Sequence, residues 1–468
     1  MRHFYQTYKS VLSIILLLVI LSATSCKKFV ELDPPENKIY AASAFDTDIS
    51  ATAAILALYN YGIFNSQIPF LQNLTFSSGV SSDELNYTLT TTPEIIEFQN
   101  NAITIGNGRN NTLWANGFSE LMAINSAISG LNNSTSLTPS VKSQLMGEAK
   151  FFRAFTNFYL VNMYGGIPLI TQPEGLDNAY LPRTSADDIY ATIIADLREA
   201  QSLLPTTYVG SLRSRVNKLA ATALLARVYL YRNDNANAES LSTQVIGTGT
   251  YTLPAPALAF VNTSNEVILQ FATFYGFSSF AQSYRTATSD ATVAPPTYTL
   301  NASIVNSFES GDTRKTNWVD STTSGSKFYR INKYKIYTAA TAGAGNESNV
   351  VLRLAEQYLI RAEARARQGN LSGASSDLNV VRTRAGLPNL TNAVATSPTL
   401  LSAAIAQERK VELFGEFGHR WFDLLRTGQA NTVLSPLKQN WNATRSVLFP
   451  IPDPQRQLNT NLTQNPGY

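Results

Sequence analysis

AIAQERKVELFGEFGHRWFDLLRTG, residues 404–428, is the stretch of this chain that decides its fold. The apolar residues of its first half recur every three or four positions, so they share one face of a predicted helix. Gly415 and Gly418 should end that helix, and Trp421 and Phe422 belong to a second apolar cluster that follows it. The stretch therefore predicts a buried core segment rather than an exposed loop.

Charged residues interrupt the apolar face of this helix. Glu408 lies within the face and Glu412 lies beside it, and both need partners because an unpaired buried charge is costly. Arg420 and Arg426 are candidate partners. The two glutamates also have the carboxylate separation of a glycosidase. However, Arg409 and Arg420 should lower both pKa values, whereas a general acid needs a raised one, so we predict no catalysis at this pair.

The same stretch carries a family resemblance. Residues 408–428 resemble the signature of the SusD/RagB family, the glycan-binding outer-membrane lipoproteins of certain Gram-negative bacteria, and residues 148–169, 361–388 and 448–468 resemble further family motifs in the same order. The resemblance implies a helical scaffold and glycan binding at the cell surface. It also implies a partner, a TonB-dependent outer-membrane transporter of the SusC type, to which ligand is delivered.

Composition narrows the choice of ligand. The formal net charge is +3, and loss of Arg2 and Lys9 with the predicted leader leaves +1. A nearly neutral chain argues against a nucleic-acid partner, which requires a basic surface. Only 15% of residues are charged and 10% are aromatic, a surface that suits a neutral, hydroxyl-rich ligand.

The N-terminus has the pattern of a bacterial lipoprotein signal. A positively charged start is followed by VLSIILLLVIL, residues 11–21, which is too short to span a bilayer. Small residues then precede Cys26, the only cysteine of the chain. We predict a signal peptide over 1–25, lipidation of Cys26 and a tether over 26–40. The alternative is an ordinary secretory signal with an incidental cysteine.

An internal repeat predicts the scaffold. Ala226 and Ala238 are twelve residues apart around a polar break, and Ala362 and Ala374 repeat this spacing. Small residues at such positions allow two antiparallel helices to approach closely, as in tetratricopeptide helix pairs. The predicted fold is mostly α, with degenerate tetratricopeptide-like helix pairs.

A loop-rich, partly β region separates the two repeats. It covers about 247–345, contains a predicted strand at 267–271, and is rich in Gly, Ser, Thr, Asn and aromatic residues. The aromatic content argues against disorder, so we predict an ordered loop-and-hairpin insertion. Family motifs lie on both sides of it, and we therefore predict one composite domain over 41–468.

Two stretches fit a sugar site, which needs flat apolar faces and convergent hydrogen-bonding groups on loops held by a rigid scaffold. The first is 77–92, with Asp83, Asn86 and Tyr87, and the second is 275–337. Trp318 stands out because its neighbours are polar; the alternative is that it covers the scaffold. The predicted ligand-binding residues are Asp83, Tyr87, Tyr275, Phe277, Arg314, Asn317 and Trp318.

Motifs of nucleotide binding, dinucleotide binding, serine hydrolysis and zinc proteolysis are absent from the sequence. The mature chain would keep one histidine, His419, which we predict to be structural, so no soft-metal site and no cofactor are predicted. We predict a non-enzymatic glycan-binding protein. The alternatives are a helical-repeat adaptor that binds protein, a binder of a non-glycan nutrient, and a glycan hydrolase.

Overall fold

The computed structural model describes residues 43–64, 70–173, 176–273, 277–284, 295–324, 326–336 and 347–468. The predicted signal peptide, the predicted lipidation site Cys26 and the predicted tether lie outside these residues, as does Tyr275.

Helices dominate the structure, as predicted. The helices before the insertion are α1 (Asp48–Phe64), α2 (Phe70–Ser81), α3 (Pro93–Gln99), α4 (Gly108–Asn133), α5 (Pro139–Tyr164), α6 (Leu176–Ala179), α7 (Ala186–Leu203), α8 (Lys218–Tyr231) and α9 (Asn235–Gly247). Those that follow are α10 (Ser279–Tyr284), α11 (Ala302–Val305), α12 (Thr313–Trp318), α13 (Leu354–Arg367), α14 (Leu371–Arg384), α15 (Asn392–Ala395), α16 (Pro398–Leu413), α17 (His419–Arg426), α18 (Ala430–Leu434) and α19 (Asp453–Leu458).

The two predicted helix pairs are α8–α9 and α13–α14, and their connections are built alike. In each, a left-handed residue precedes a capping side chain: Asn233 (φ 58°) in the first and Gly369 (φ 81°) in the second. Asp234 and Asn370 then accept a hydrogen bond from the backbone three residues later, which begins the second helix of each pair. The four repeat alanines are fully buried, and α9 packs on α13, so the pairs stack.

Six short strands form three antiparallel pairs in the described chain. They are β1 (Leu85–Tyr87), β2 (Val267–Phe271), β3 (Tyr298–Leu300), β4 (Val319–Ser324), β5 (Ser326–Ile331) and β6 (Asn349–Arg353). The predicted strand at 267–271 is confirmed as β2, which pairs with β6 immediately before α13. β1 pairs with β3, and β4 pairs with β5 in a hairpin.

One large apolar cluster joins the N-terminal helices to the C-terminal segments. Its members run in sequence from Ala51 to Leu462 and include Trp114 and Trp421, of which Trp421 was predicted to lie in an apolar cluster. A smaller cluster holds α13, α14 and α16 together through side chains such as Leu378 and Leu401.

The stretch that decides the fold forms α16, a tight turn and α17. Gly415 and Gly418 both have a positive φ, 71° and 73°, which favours glycine. A Cβ at Gly418 would lie 2.8 Å from the side chain of Ser78, and one at Gly415 would lie 2.5 Å from Ile331 Cδ1. The turn thus packs directly against α2 and β5, so distant parts of the chain meet at this motif.

Candidate functional site

Trp318 is a core residue. It ends α12, is 1% exposed, and its Nε1 donates a hydrogen bond to the carbonyl oxygen of Pro256 at 2.8 Å. Phe260 packs edge-on against its ring and Phe414 lies beyond it. The prediction that Trp318 contacts ligand from a polar loop is therefore wrong, because the indole is buried against residues distant in sequence.

Arg314 is also buried, and its side chain is fully engaged. It is 0% exposed and binds Asp312 through Nε and Nη2, while its Nη1 contacts Glu408 Oε1 at 2.5 Å and Glu412 Oε2 at 2.9 Å. Arg353 and Arg384 contact the same Glu412. Arg314 stabilises this buried ion network and is not a neighbour of ligand, contrary to the prediction.

The carboxylates of α16 differ in their ionisation. Burial alone raises the pKa of Glu412, but the guanidiniums of Arg384, Arg353 and Arg314 outweigh it and hold that pKa well below its usual range. Burial raises the pKa of Glu408, and Arg314 offsets this only in part. We predicted that Arg409 and Arg420 lower both pKa values; the pKa of Glu412 is lowered, but by Arg384, Arg353 and Arg314, and that of Glu408 is raised.

The predicted partners of these glutamates are wrong. Arg420 binds Asp83, with 2.6 Å between Nε and Oδ1, and Arg426 binds Asp423 and Glu363. Residues 408–428 alone could not indicate this arrangement, because Arg314 is supplied from 94 positions before Glu408.

The remaining predicted site residues that the structure describes do not form a site either. Asp83 is 2% exposed, and although burial opposes it, Arg420 and Lys410 lower its pKa to about 2. Tyr87 is 7% exposed and donates to Thr92 Oγ1, while Phe277 is equally buried. Asn317 is half-buried and donates to the carbonyl oxygen of Thr313. These side chains hold the scaffold together.

The two predicted stretches nevertheless meet at a cleft. Pairing of β1 with β3 places Asn86 opposite Thr299, and β5 of the hairpin packs against β3. Between them lies a cleft of about 460 Å³, within the usual range for ligand pockets. The residues that line it are Asn86, Thr88, Pro295, Thr299, Leu300, Ala302, Val305, Asn306, Lys327, Phe328 and Tyr329.

The cleft combines aromatic surface with neutral polar groups. Phe328 and Tyr329 are half-buried, and Lys327 Nζ lies 5.1 Å from the centre of the Tyr329 ring. Asn306 is exposed, and Asn86 uses its Oδ1 to accept from Asn301 Nδ2 at 2.9 Å. An aromatic face with convergent amides suits the C–H face and the hydroxyls of a sugar ring. No described residue that lines the cleft is a carboxylate.

Both predicted stretches contribute residues to this cleft, but most of its lining residues are not among the predicted ligand contacts. Asn306, Lys327, Phe328 and Tyr329 were not predicted as ligand contacts. The available signal was SKFYRI, a short segment with aromatic residues that follows a run of Ser, Thr and Gly, which is typical of a strand after a turn. The sequence instead favoured Trp318 as a ligand contact, because its polar sequence neighbours resemble those of an exposed ring.

Metal ligands do not cluster in the described part of the chain, where no group of three or more His, Cys, Asp and Glu side chains could hold an ion. His419 is 5% exposed, as a structural residue should be, but its Nδ1 has no hydrogen-bond partner among the described residues. Burial and nearby guanidiniums lower its pKa well below the usual range. None of the described helices combines the length and apolarity needed to cross a membrane.

Two family models match most of the chain. The model described as "Starch-binding associating with outer membrane" matches residues 37–230, and that of the SusD family matches 274–468. Among curated proteins, the chain is 28% identical over 432 residues to SusD-like protein P2 of Formosa agariphila, an alignment that covers 79% of this chain and 83% of that protein.

Solved structures with the same fold include glycan-binding proteins. A laminarin-binding SusD-like protein is 26% identical, with a TM-score of 0.74 over 90% of this chain and 99% of the other. Surface glycan-binding protein A of Bacteroides thetaiotaomicron, solved in complex with laminarihexaose, is 20% identical, with the same TM-score and coverage. At that identity the second similarity shows a shared fold alone.

Proposed function

This chain belongs to the SusD/RagB family, and from that premise we propose that it binds an oligosaccharide or polysaccharide in the cleft between β1, β3 and the β4–β5 hairpin. The observation that carries the proposal is the composition of that cleft. Phe328 and Tyr329 line one opening together with Asn86 and Asn306. A β-glucan such as laminarin is the first ligand to test, because a structural neighbour is named for it.

Binding proceeds without hydrolysis. A glycosidase needs two carboxyl groups about 5–10 Å apart beside the scissile bond, and the described residues that line the cleft include none. Glu408 and Glu412, which have a suitable spacing, are buried against Arg314 and cannot reach a polysaccharide. The cleft, whose described lining residues include no carboxylate, therefore supports capture of an intact ligand.

Delivery to a membrane transporter completes the proposed role. The chain is anchored through lipid on Cys26 after removal of residues 1–25, and residues 26–40 tether one composite domain at the outer face of the outer membrane. Several acyl chains on one cysteine would give a stable anchor, because each buried CH₂ contributes about 0.8 kcal/mol. A TonB-dependent transporter of the SusC type receives the ligand. Mass spectrometry of the N-terminal peptide would test the anchor, and co-purification would test the transporter.

The decisive experiment measures glycan binding by detergent-solubilised full-length protein. Calorimetry against laminarin and a panel of other soluble glycans should detect binding without product, and Tyr329→Ala should weaken it roughly tenfold, a loss of about 1.4 kcal/mol. Tyr180→Ala is the matched control, since Tyr180 is 60% exposed and lies outside the cleft.

Three outcomes would contradict the proposal. Equal affinity of the Tyr329→Ala and Tyr180→Ala proteins would place the glycan elsewhere. Release of shorter products would favour a hydrolase. An absence of binding across the whole panel would favour a non-glycan nutrient.

A further inference from the structure

A second opening lies at the C-terminal helices, on the stretch that decides the fold. It is a groove of about 640 Å³ between α13, α16, α17 and α18, which we call the charged groove. None of the described residues that line the charged groove is aromatic. It therefore lacks the flat apolar faces on which a sugar ring packs, and its ligand belongs to another class.

Positive charge is in excess along the groove. Its cationic lining residues are Arg367, Arg409, Lys410, Arg420 and Arg426. Their ion-pair partners among the described residues are only Asp83, Glu363 and Asp423. Five cations therefore share three carboxylates, which gives an excess of two positive charges although each cation has an ion-pair partner. A groove with such an excess attracts and orients an anionic ligand.

Arg409 is the second, independent observation. It is 3% exposed and binds Asp423 through Nε and Nη2, at 2.7 and 3.0 Å. Its Nη1 is buried and has no hydrogen-bond partner in the part of the chain that the structure describes. A buried guanidinium nitrogen without an acceptor is costly, and a ligand carboxylate in the groove would supply that acceptor.

The wall of the groove formed by α16 is made of small side chains. Ser402, Ala403 and Ala406 are exposed there and follow helical spacing. Small side chains let a second backbone approach closely, whereas large ones would hold it away. The groove also adjoins the α13–α14 helix pair, so an extended segment could lie along α16 with its side chains toward the cations.

We propose that the charged groove binds an acidic, extended peptide segment of a protein partner, with carboxylates facing Arg409, Lys410 and Arg426. The site lies apart from the glycan cleft, and the two share no lining residue. The chain therefore has two recognition surfaces of different chemistry: an aromatic one with a single described lysine for sugar, and one lined by five described cations for protein.

The test uses detergent-solubilised full-length protein and a fluorescein-labelled hexaglutamate peptide, with hexaglutamine as the neutral control. Hexaglutamate should bind, and its affinity should fall as salt is raised because the contacts are electrostatic. Ala403→Glu should weaken binding at least tenfold, since it places a carboxylate in the groove without removing a buried contact. Lys410→Gln should weaken it severalfold.

Ala195→Glu is the matched control, because Ala195 is also an exposed alanine within a helix, α7, and lies outside the groove. It should leave peptide binding unchanged, and all three variants should bind glycan as the wild type does, which also shows that they fold. Equal affinity for hexaglutamate and hexaglutamine would overturn the proposal. So would equal effects of Ala403→Glu and Ala195→Glu, or binding of polygalacturonate at the groove in place of the peptide.

Discussion

Trp318 and Tyr329 lie eleven positions apart on the same inserted segment, in similarly polar sequence, yet they have opposite surroundings. Trp318 is 1% exposed and its ring is surrounded by cations, with Lys333 Nζ 4.8 Å and Arg384 Cζ 5.2 Å from its centre. Tyr329 is half-buried beside an open cleft, with Lys327 as its neighbour. The polarity of nearby residues therefore does not decide whether an aromatic ring is exposed.

What distinguishes the two rings is where their partners come from. The polar groups around Trp318 belong to a buried ion network assembled from β6, α14 and α16, and each charge in it has a counter-charge nearby. The polar groups that line the cleft beside Tyr329 are amides, hydroxyls and the ammonium of Lys327. The ion network holds the Trp318 ring in a fixed position. In the open cleft beside Tyr329, a ligand can replace water.

The ion network should give the largest loss of stability on substitution. Glu412→Gln keeps the shape of the side chain but leaves Arg314, Arg353 and Arg384 short of a buried negative charge. We expect a decrease of roughly 3–5 kcal/mol in the free energy of unfolding. Urea denaturation followed by circular dichroism measures it. Glu199→Gln, which breaks only a surface pair with Lys150, should cost less than about 1 kcal/mol. Similar losses of stability in the two variants would show that burial does not determine the contribution of an ion pair to stability.

Trp318→Ala should separate stability from binding. Loss of a buried indole typically costs about 3–5 kcal/mol through the cavity that it leaves, so the thermal midpoint should fall. The fraction that remains folded at low temperature should bind glycan with wild-type affinity, because Trp318 does not line the cleft. Weaker glycan binding with unchanged stability would reverse the assignment of the two rings.

A buried carboxyl without a cation sharpens the contrast with Glu412. Glu120 is 3% exposed and pairs with no Lys or Arg in the described chain, and burial raises its pKa to about 8. Its folded-state pKa exceeds the unfolded value, so its contribution to stability is full below about pH 4.5 and is lost as pH rises toward 8.

Glu120→Gln should therefore match the wild type at pH 5 and exceed it at pH 9, by an amount on the order of a few kcal/mol. Urea midpoints at pH 5, 7 and 9 measure the difference. A stability difference between Glu120→Gln and the wild type that stays constant across this pH range would mean that the pKa of Glu120 is the same in the folded and unfolded states.

The smallest expected effect belongs to the polar side of the cleft. Asn306→Ala should remove one hydrogen bond to a sugar hydroxyl, about 0.5–1.5 kcal/mol, and so weaken glycan binding severalfold without changing stability. Calorimetry with the ligand found for the wild type measures it. Asn392→Ala is the control, since Asn392 is also exposed but lies on α15, outside the cleft. Equal effects of both variants would remove Asn306 from the site.

Periodicity and spacing predicted the scaffold well. The face of α16, strand β2 and the paired alanines at 226 and 238 and at 362 and 374 follow from local patterns, because the same local sequence both forms and buries these elements. The two stretches that meet at the cleft were also predicted. That they meet depends on pairing between Asn86 and Thr299, a contact that no local pattern encodes.

The sequence did not show which individual side chains are exposed and which are buried in the scaffold. Asp83, Arg314 and Trp318 are polar or aromatic residues in irregular sequence, and their exposure depends on Arg420, Glu408 and Pro256, all far away in the chain. Composition indicates what such residues can bind but does not indicate which partner they contact in the folded protein. In this chain these residues bind other parts of the scaffold, and the cleft is lined by different residues such as Asn306 and Tyr329.

The ion pair between Asp83 and Arg420 joins residues 337 positions apart, and this separation has a consequence for how the protein is made. The ribosome synthesises Arg314, Arg353 and Arg384 well before Glu412. These cations therefore lack the carboxylate of Glu412 until nearly all of the chain has been synthesised. Contacts between such distant residues slow folding because a long loop must close first. We therefore expect late, cooperative folding that is completed only after the final helices have been synthesised.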